Sequence, residues 1–274
     1  MCTTGVRRWA DGTYVLFKNK DFGRRHLDDR IRLDAGVFGV LGMTTWAGDD
    51  PAADQYSGLS IGANRHGLLC CDSNVVTLDD HVNYDVMTEV ALEAGTDVAS
   101  AAAAVVAACR QAPVSWGNLV LIDAHSAASI ELRGDEALVV PLEGPTARSN
   151  HHVRLGHHGL QEDTTTTELR RAAAQRRLDA ATGLADVFAL QSAHDDGDTG
   201  ICNHSDLTTV YSYVLSCDAT GVSLHVLQGA PCSGSARITL DIPLGDRFDQ
   251  TARQRFLEAY PSADPEPRPV STAP

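Results

Sequence analysis

Apolar and polar positions along this chain switch between two periods, and the switches mark out its elements. Residues 2–8 ("CTTGVRR") and 13–19 read as two short strands joined at Asp11-Gly12, a strong hairpin dipeptide. Extended segments follow at 36–46 ("GVFGVLGMTTW"), 57–63 and 67–72, with turn residues between them. From Val86 the period lengthens: Met87, Val90, Ala94, Val98, Ala102, Val105 and Cys109 recur at steps of three or four, the spacing of an amphipathic helix. Gly95 followed by Thr96 divides that stretch into two helices, because glycine ends helices and threonine caps the next one. Strands return at 116–123, 128–133 and 136–141. Helical composition resumes over 167–194 with a break at Gly183, and strands at 209–217, 221–228 and 236–241 close the pattern.

Strands, helices, strands, helices, strands, with hairpin-like links inside each strand block, predict an α+β protein whose antiparallel sheets carry helices on their outer faces. The alternation of a βαβ Rossmann fold is absent. Length is compatible with one catalytic unit over residues 1–260. Residues 261–274 ("PSADPEPRPVSTAP") are expected to be a disordered tail, since they hold five of the eleven prolines and almost no large apolar side chains.

Composition narrows the function classes. A formal charge of −14 disfavours the counterion-releasing contacts that hold proteins on nucleic acid or anionic membranes. With no run of eighteen apolar residues and no secretory leader, the chain is expected to be soluble and cytoplasmic, with no membrane partner. The seven cysteines contain no CxxC pair, which suggests reduced thiols rather than a disulfide framework or zinc knuckle. In "NHHVRLGHH", His151, His152, His157 and His158 follow no ligand spacing of a helix or knuckle, so they are expected to form a polar loop, and no metal or cofactor is expected. Cys70 and Cys71 point to opposite faces of a strand, so at least one should be buried packing. The acidic stretch "GDDPAADQ" (48–55) is expected to be a solvent loop beside the site.

Two features bear on chemistry. Cys2 directly follows the initiator methionine, and cysteine is small enough for that methionine to be removed. A thiol and an α-amine would then share one carbon, and the amine, with an ordinary pKa near ~8, can act as general base to the thiol. Both lysines of the chain, Lys18 and Lys20, fall in "LFKNKDF", while the other twenty basic residues are arginines.

Several motifs extend the picture: "KNKD" at 18–21, "GANRHGL" at 62–68 followed by Asn74, "SNHH" at 149–152, "GICNH" at 200–204 and "GAPC" at 229–232. In order and spacing they resemble the N-terminal-nucleophile hydrolases of the choloylglycine hydrolase and acyl-coenzyme A:6-aminopenicillanate acyltransferase group. The resemblance implies a four-layer αββα sandwich of two antiparallel sheets covered by helices. It further implies Cys2 as nucleophile and base, Asp21 holding the α-amine, and Asn150 giving its amide to the oxyanion, with Asn74 completing the hole or orienting the amine. Lys18, at a position where arginine is usual in the bile-salt branch, keeps a charge near the thiol but lacks the planar fork. His151 and Asn19, inside the matching motifs, and Arg237, in the place of a late arginine, are the candidate substrate-binding residues. Only Met1 precedes Cys2, so maturation is expected to need no internal cut. The implied activity is hydrolysis of a linear amide or thioester in a small acylated molecule through a Cys2 acyl-enzyme. Acyl transfer to an amine, a catalytically silent binding protein and a homo-oligomeric state stay open.

Overall fold

The computed structural model describes residues 1–23, 27–44, 54–77, 81–157, 159–160, 165–195, 197, 200–261 and 263–264. Residues 48–53 of the acidic stretch, His158 and residues 265–274 of the expected tail lie outside these. No helix among the described residues is long and apolar enough to cross a membrane.

The chain opens with the hairpin that Asp11-Gly12 predicts: β1 (Cys2–Arg8) pairs antiparallel with β2 (Tyr14–Phe22), and Gly12 takes a left-handed φ of 88° in the turn. Strand β2 runs three residues beyond its predicted end, because its other edge pairs with β11 (Thr208–Asp218) as far as Phe22. One sheet has the order β10-β1-β2-β11-β12-β13, with β10 at Thr146–Arg148, β12 at Gly221–Gln228 and β13 at Ile238–Asp241. The second runs β3 (Asp29–Leu33), β4 (Val37–Met43), β5 (Tyr56–Asn64), β6 (Leu69–Asn74), β7 (Val114–Ile122), β8 (Ala127–Gly134) and β9 (Glu136–Pro141), all antiparallel. Ala263–Asp264 adds a two-residue parallel pairing to β3.

Helices α1 (Asp85–Ala94) and α2 (Val98–Gln111) cover the second sheet, and α3 (Thr165–Ala180) and α4 (Leu184–Gln191) cover the first. The break between α1 and α2 falls at Gly95, but Asp97 rather than Thr96 caps α2, in a reciprocal pair with Ser100. A fifth helix, α5 (Gln250–Ala259), seats Phe256 edge-on against Phe38 at 5.4 Å. The chain is therefore a four-layer αββα sandwich. Its larger core fills the space between the sheets and under α1 and α2, and a smaller one lies between the first sheet and α3 and α4.

Strand β2 divides the two cores. Its alternation sends Val15 and Phe17 into the smaller core, under α3 and α4, and Tyr14 and Leu16 into the larger. Two residues on, the same alternation turns Lys18 and Lys20 toward the space between the sheets and Asn19 toward α4. The buried strand carries charge only because each lysine meets a carboxylate: Lys18 Nζ lies 2.9 Å from Asp72 Oδ1, and Lys20 Nζ lies 3.1 Å from Asp29 Oδ1.

Candidate active site

Cys2 begins β1, opposite Lys20 in the hairpin register, and is buried. It lines a small pocket of about 30 Å³ between the two sheets. Around it stand Met1, Lys18, Asp21, Ser60, Asp72 and Asn74, with Phe22, Met43 and Tyr84 forming a more apolar wall. Asp85 reaches the same pocket from the first turn of α1. Gly58, at φ 58°, lets α1 approach this closely, since a Cβ there would sit 2.3 Å from the Asp85 carbonyl carbon.

Asn150 and Arg170 hold the start of β1. The Cys2 amide N–H donates to Asn150 Oδ1 at 2.8 Å, and the Cys2 carbonyl accepts from Arg170 Nη1 at 2.9 Å. Arg170, fully buried on α3, also donates to Thr3 Oγ1 (3.1 Å) and Asn150 Oδ1 (3.0 Å). Asn150 Nδ2 donates to the Asn74 carbonyl at 2.9 Å and to Asn74 Oδ1 at 2.6 Å. With its oxygen so engaged, Asn74 presents Nδ2, a buried donor that has no hydrogen-bond partner among the described residues.

Asn150 owes its position to the strap around it. Its N–H donates to Thr167 Oγ1 (2.9 Å), and the Ser149 carbonyl accepts from Ser73 Oγ (2.8 Å) and Asn118 Nδ2 (3.1 Å). Beyond it, the buried carboxylate of Glu131 takes up the N–H groups of Val153, Arg154 and Leu155, which fixes the turn that follows.

Asp21 lies on β2 next to the chain terminus. Its backbone carbonyl accepts from the Met1 α-amine at 3.0 Å, and its N–H donates to the Met1 carbonyl at 2.8 Å. Thr209 Oγ1 donates to Asp21 Oδ1 at 2.7 Å. Burial pushes the Asp21 carboxyl above the ordinary carboxylate range, against the pull of the terminal amine, Arg170, Thr209 and Asn203. Burial likewise holds the Met1 α-amine below its ordinary value, although the nearby Cys2 and Asp21 favour its protonation.

Lys18 Nζ donates to Ser60 Oγ (2.6 Å), the Ser60 carbonyl (3.0 Å) and Asp72. Burial opposes its charge, but Asp72 and then Cys2 outweigh that, and its pKa rises above the ordinary lysine value. Asp85 behaves oppositely. Burial first, and then the charge of Asp72, push its carboxyl well above the ordinary range. Lys18 and Asp72 thus form an ion pair beside Asp85, whose neutral form is favoured by burial and by the neighbouring Asp72.

The sequence-derived candidates divide accordingly. Cys2, Lys18, Asp21 and Asn74 line one pocket, and Asn150 touches both Cys2 and Asn74. The three expected substrate-binding residues stand elsewhere. Asn19 Nδ2 donates to the carbonyls of Gln191 and Ile201, on the α4 side of β2. His151 is buried with Nδ1 3.1 Å from Thr167 Oγ1, behind Asn150. Arg237 lies over the Phe188 ring at 4.5 Å and donates toward the carbonyls of Ser212 and His225, outside the pocket, where burial lowers its pKa to about 10. The arginine beside Cys2 is Arg170. It could have been found as a cation on the buried face of α3, in step with Thr167, Ala174 and Leu178. Of the described histidines in that stretch, His152 stacks on Trp116 and meets the Gly117 carbonyl, and His157 packs on the same ring at 5.4 Å and meets Arg133. Both Cys70 and Cys71 are core residues.

The αββα sandwich is a fold this chain shares with solved structures. Among solved structures, the chain is similar to penicillin V acylase from Agrobacterium tumefaciens, with a TM-score of 0.53 and 10% identity over 88% of this chain and 86% of that one. It is also similar to the Caenorhabditis elegans ortholog of N-acylethanolamine-hydrolyzing acid amidase, with a TM-score of 0.51 and 14% identity over 78% of this chain and 92% of that one. No family model matches the chain, and no curated protein is similar to it in sequence.

Proposed function

We propose that the protein is an amidohydrolase acting on a small acylated molecule, with Cys2 as its nucleophile once Met1 has been removed. The observation that carries this reading is the convergence on Cys2: its N–H on Asn150, its carbonyl on Arg170, and the unpartnered Asn74 Nδ2 facing the same pocket. Removal of Met1 turns the Cys2 amide into a primary amine still within reach of Asn150 Oδ1, and takes the Met1 side chain and its bonds to the Asp21 backbone out of the pocket. The amine accepts the thiol proton as sulfur attacks the substrate carbonyl carbon. The carbonyl π pair moves to oxygen, and the resulting oxyanion accepts from Asn74 Nδ2. Collapse expels the amine product, which leaves with the proton the α-amine had taken, and a Cys2 thioester remains. Water then attacks that thioester, passes a proton to the α-amine and releases the acid.

In this reading Asn150 positions Asn74 and the terminal amine, because its own Nδ2 hydrogens are directed at Asn74. Asp21 favours the protonated amine formed in the attack. Lys18 and Asp72 set the charge of the pocket, and Phe22, Met43 and Tyr84 offer the acyl group its apolar wall. The amide-hydrolysing activities of the two structural neighbours support the same reaction class. Transfer of the acyl group to an amine would use the same thioester.

The test is an intact-mass measurement after incubation with an activated acyl ester. The expected result is loss of Met1 and one acyl adduct mapped to Cys2, absent in Cys2→Ala with an unchanged melting temperature. Met1 retained throughout, or equal adduct and turnover in Cys2→Ala, would overturn the proposal.

A further inference from the structure

A second cluster of reactive side chains lies on the far side of Asp21 from the pocket. His194, two residues past the turn that ends α4, meets Cys202 and His204 from the "GICNH" motif and Cys232 from "GAPC". One ligand atom from each of the four lies within 4.8 Å of the others. His204 Nε2 stands at the centre of the contacts: 3.1 Å from His194 Nε2, 3.1 Å from Cys232 Sγ and 3.5 Å from Cys202 Sγ.

Hydrogen bonding does not account for that arrangement. A neutral imidazole Nε2 carries either one hydrogen or one lone pair, so it satisfies one neighbour, not three. Four ligand atoms around a shared metal do account for it. With Zn–N near ~2.1 Å and Zn–S near ~2.3 Å, tetrahedral geometry separates nitrogen pairs by about 3.4 Å and nitrogen–sulfur pairs by about 3.6 Å. The observed separations are close to those edges. Two imidazoles with two thiolates form a closed donor set of borderline softness, which suits zinc in a structural role.

The backbone brings the ligands together without the ion. Cys202 N–H donates to the Ala193 carbonyl at 2.9 Å, placing His194 beside Cys202, and Ser192 Oγ donates to the Pro231 carbonyl at 3.1 Å, drawing in Cys232. Three of the four ligands are exposed, so little apolar burial ties these loops down. Between two ligands sits Asn203, whose N–H donates to Thr209 Oγ1 at 2.9 Å, and that hydroxyl donates to Asp21. The cluster thus stands two hydrogen bonds behind the Asp21 carboxylate.

We propose that His194, Cys202, His204 and Cys232 bind one zinc ion that fastens the end of α4 to the loops before β11 and after β12. Binding would release the protons of the two thiols to solvent. The test uses full-length, tag-free protein, with metal content read by plasma mass spectrometry and the site read by cobalt substitution. Expected are stoichiometric zinc and, with cobalt, the visible bands and sulfur-to-metal charge transfer of a tetrahedral thiolate site. His194→Ala and Cys232→Ser change exposed residues, and each should fold yet weaken zinc binding more than ~100-fold, beyond what the loss of an outer partner costs. Cys2→Ala should keep its zinc, which separates this site from the proposed nucleophile. Zinc-free protein that gives no cobalt spectrum would overturn the proposal. So would a Cys202–Cys232 disulfide in non-reduced peptide maps of protein grown with zinc, or full zinc occupancy in both ligand variants.

Discussion

Asn74 offers the sharpest test of how the pocket handles charge. Its side chain divides two duties between two atoms: Oδ1 accepts from Asn150 at 2.6 Å, and Nδ2 is left for the pocket. Asn74→Asp retains the oxygen facing Asn150 and replaces the donor by an acceptor. Asn74→Ala removes both, but Asn150 Nδ2 keeps its bond to the Asn74 backbone carbonyl. Stability should therefore change little in Asn74→Ala, by about 0.5–1.5 kcal/mol for one lost hydrogen bond. Loss of an oxyanion donor costs about 2.7–4 kcal/mol of transition-state stabilisation, or roughly 100- to 1,000-fold in rate. Asn74→Asp should lose more than Asn74→Ala, because a carboxylate repels the developing oxyanion as well as failing to donate. The assay is the single-turnover rate of acyl-adduct formation at Cys2 from an activated ester, followed by mass, with melting curves for each variant. Acylation of Asn74→Ala within about threefold of the parent rate, by protein that is folded, would refute the assignment of Nδ2 to the oxyanion.

Three other changes probe the surroundings. Lys18→Met leaves Asp72 buried beside Asp85 without its cation, and should cost about 3–5 kcal/mol in denaturant unfolding; a loss below about 1 kcal/mol would show the pair to be dispensable. Asp85 has a raised folded pKa, so its contribution is fully present below its unfolded value of 3.8 and is lost as pH rises toward the folded value. Asp85→Asn should accordingly gain melting temperature relative to the parent between pH 5 and pH 8, and a difference that stays flat with pH would contradict the shift. Arg170→Lys keeps the charge but cannot fork to Cys2, Thr3 and Asn150 together, so turnover should fall at least tenfold with a smaller change in KM; parent-like turnover in folded Arg170→Lys would remove Arg170 from the machinery.

How far these residues can be read from sequence depends on how local their constraints are. The Asp11-Gly12 turn determines the hairpin register, and with it the approach of Cys2 to Lys18, Lys20 and Asp21. The Gly95 break and the two helix pairs follow from period and capping residues alone. Strands β3 and β10 and helix α5 escape such reading. The first two are short and polar, held by neighbours rather than by their own pattern, and α5 shows the core little more than Phe256. Arg170 is hidden for another reason. It sits among Arg171, Arg176 and Arg177, so composition does not distinguish it, and only its step with Thr167, Ala174 and Leu178 on the buried face of α3 marks it. Arg237 attracts attention by its late position in the chain, but it lies just before edge strand β13, over the Phe188 ring. The four metal-ligand candidates are spread over three loops, and only the fold gathers them.

Strand β2 is in effect a partition with different furniture on its two sides. Adding or removing one residue anywhere between Tyr14 and Lys18 would carry both ammonium groups to the helix side and swing the Asn19 amide into the pocket, stranding Asp72 and Asp29 without counterions. The segment therefore cannot change length without turning over the charges of the pocket and the amide of the helix side together.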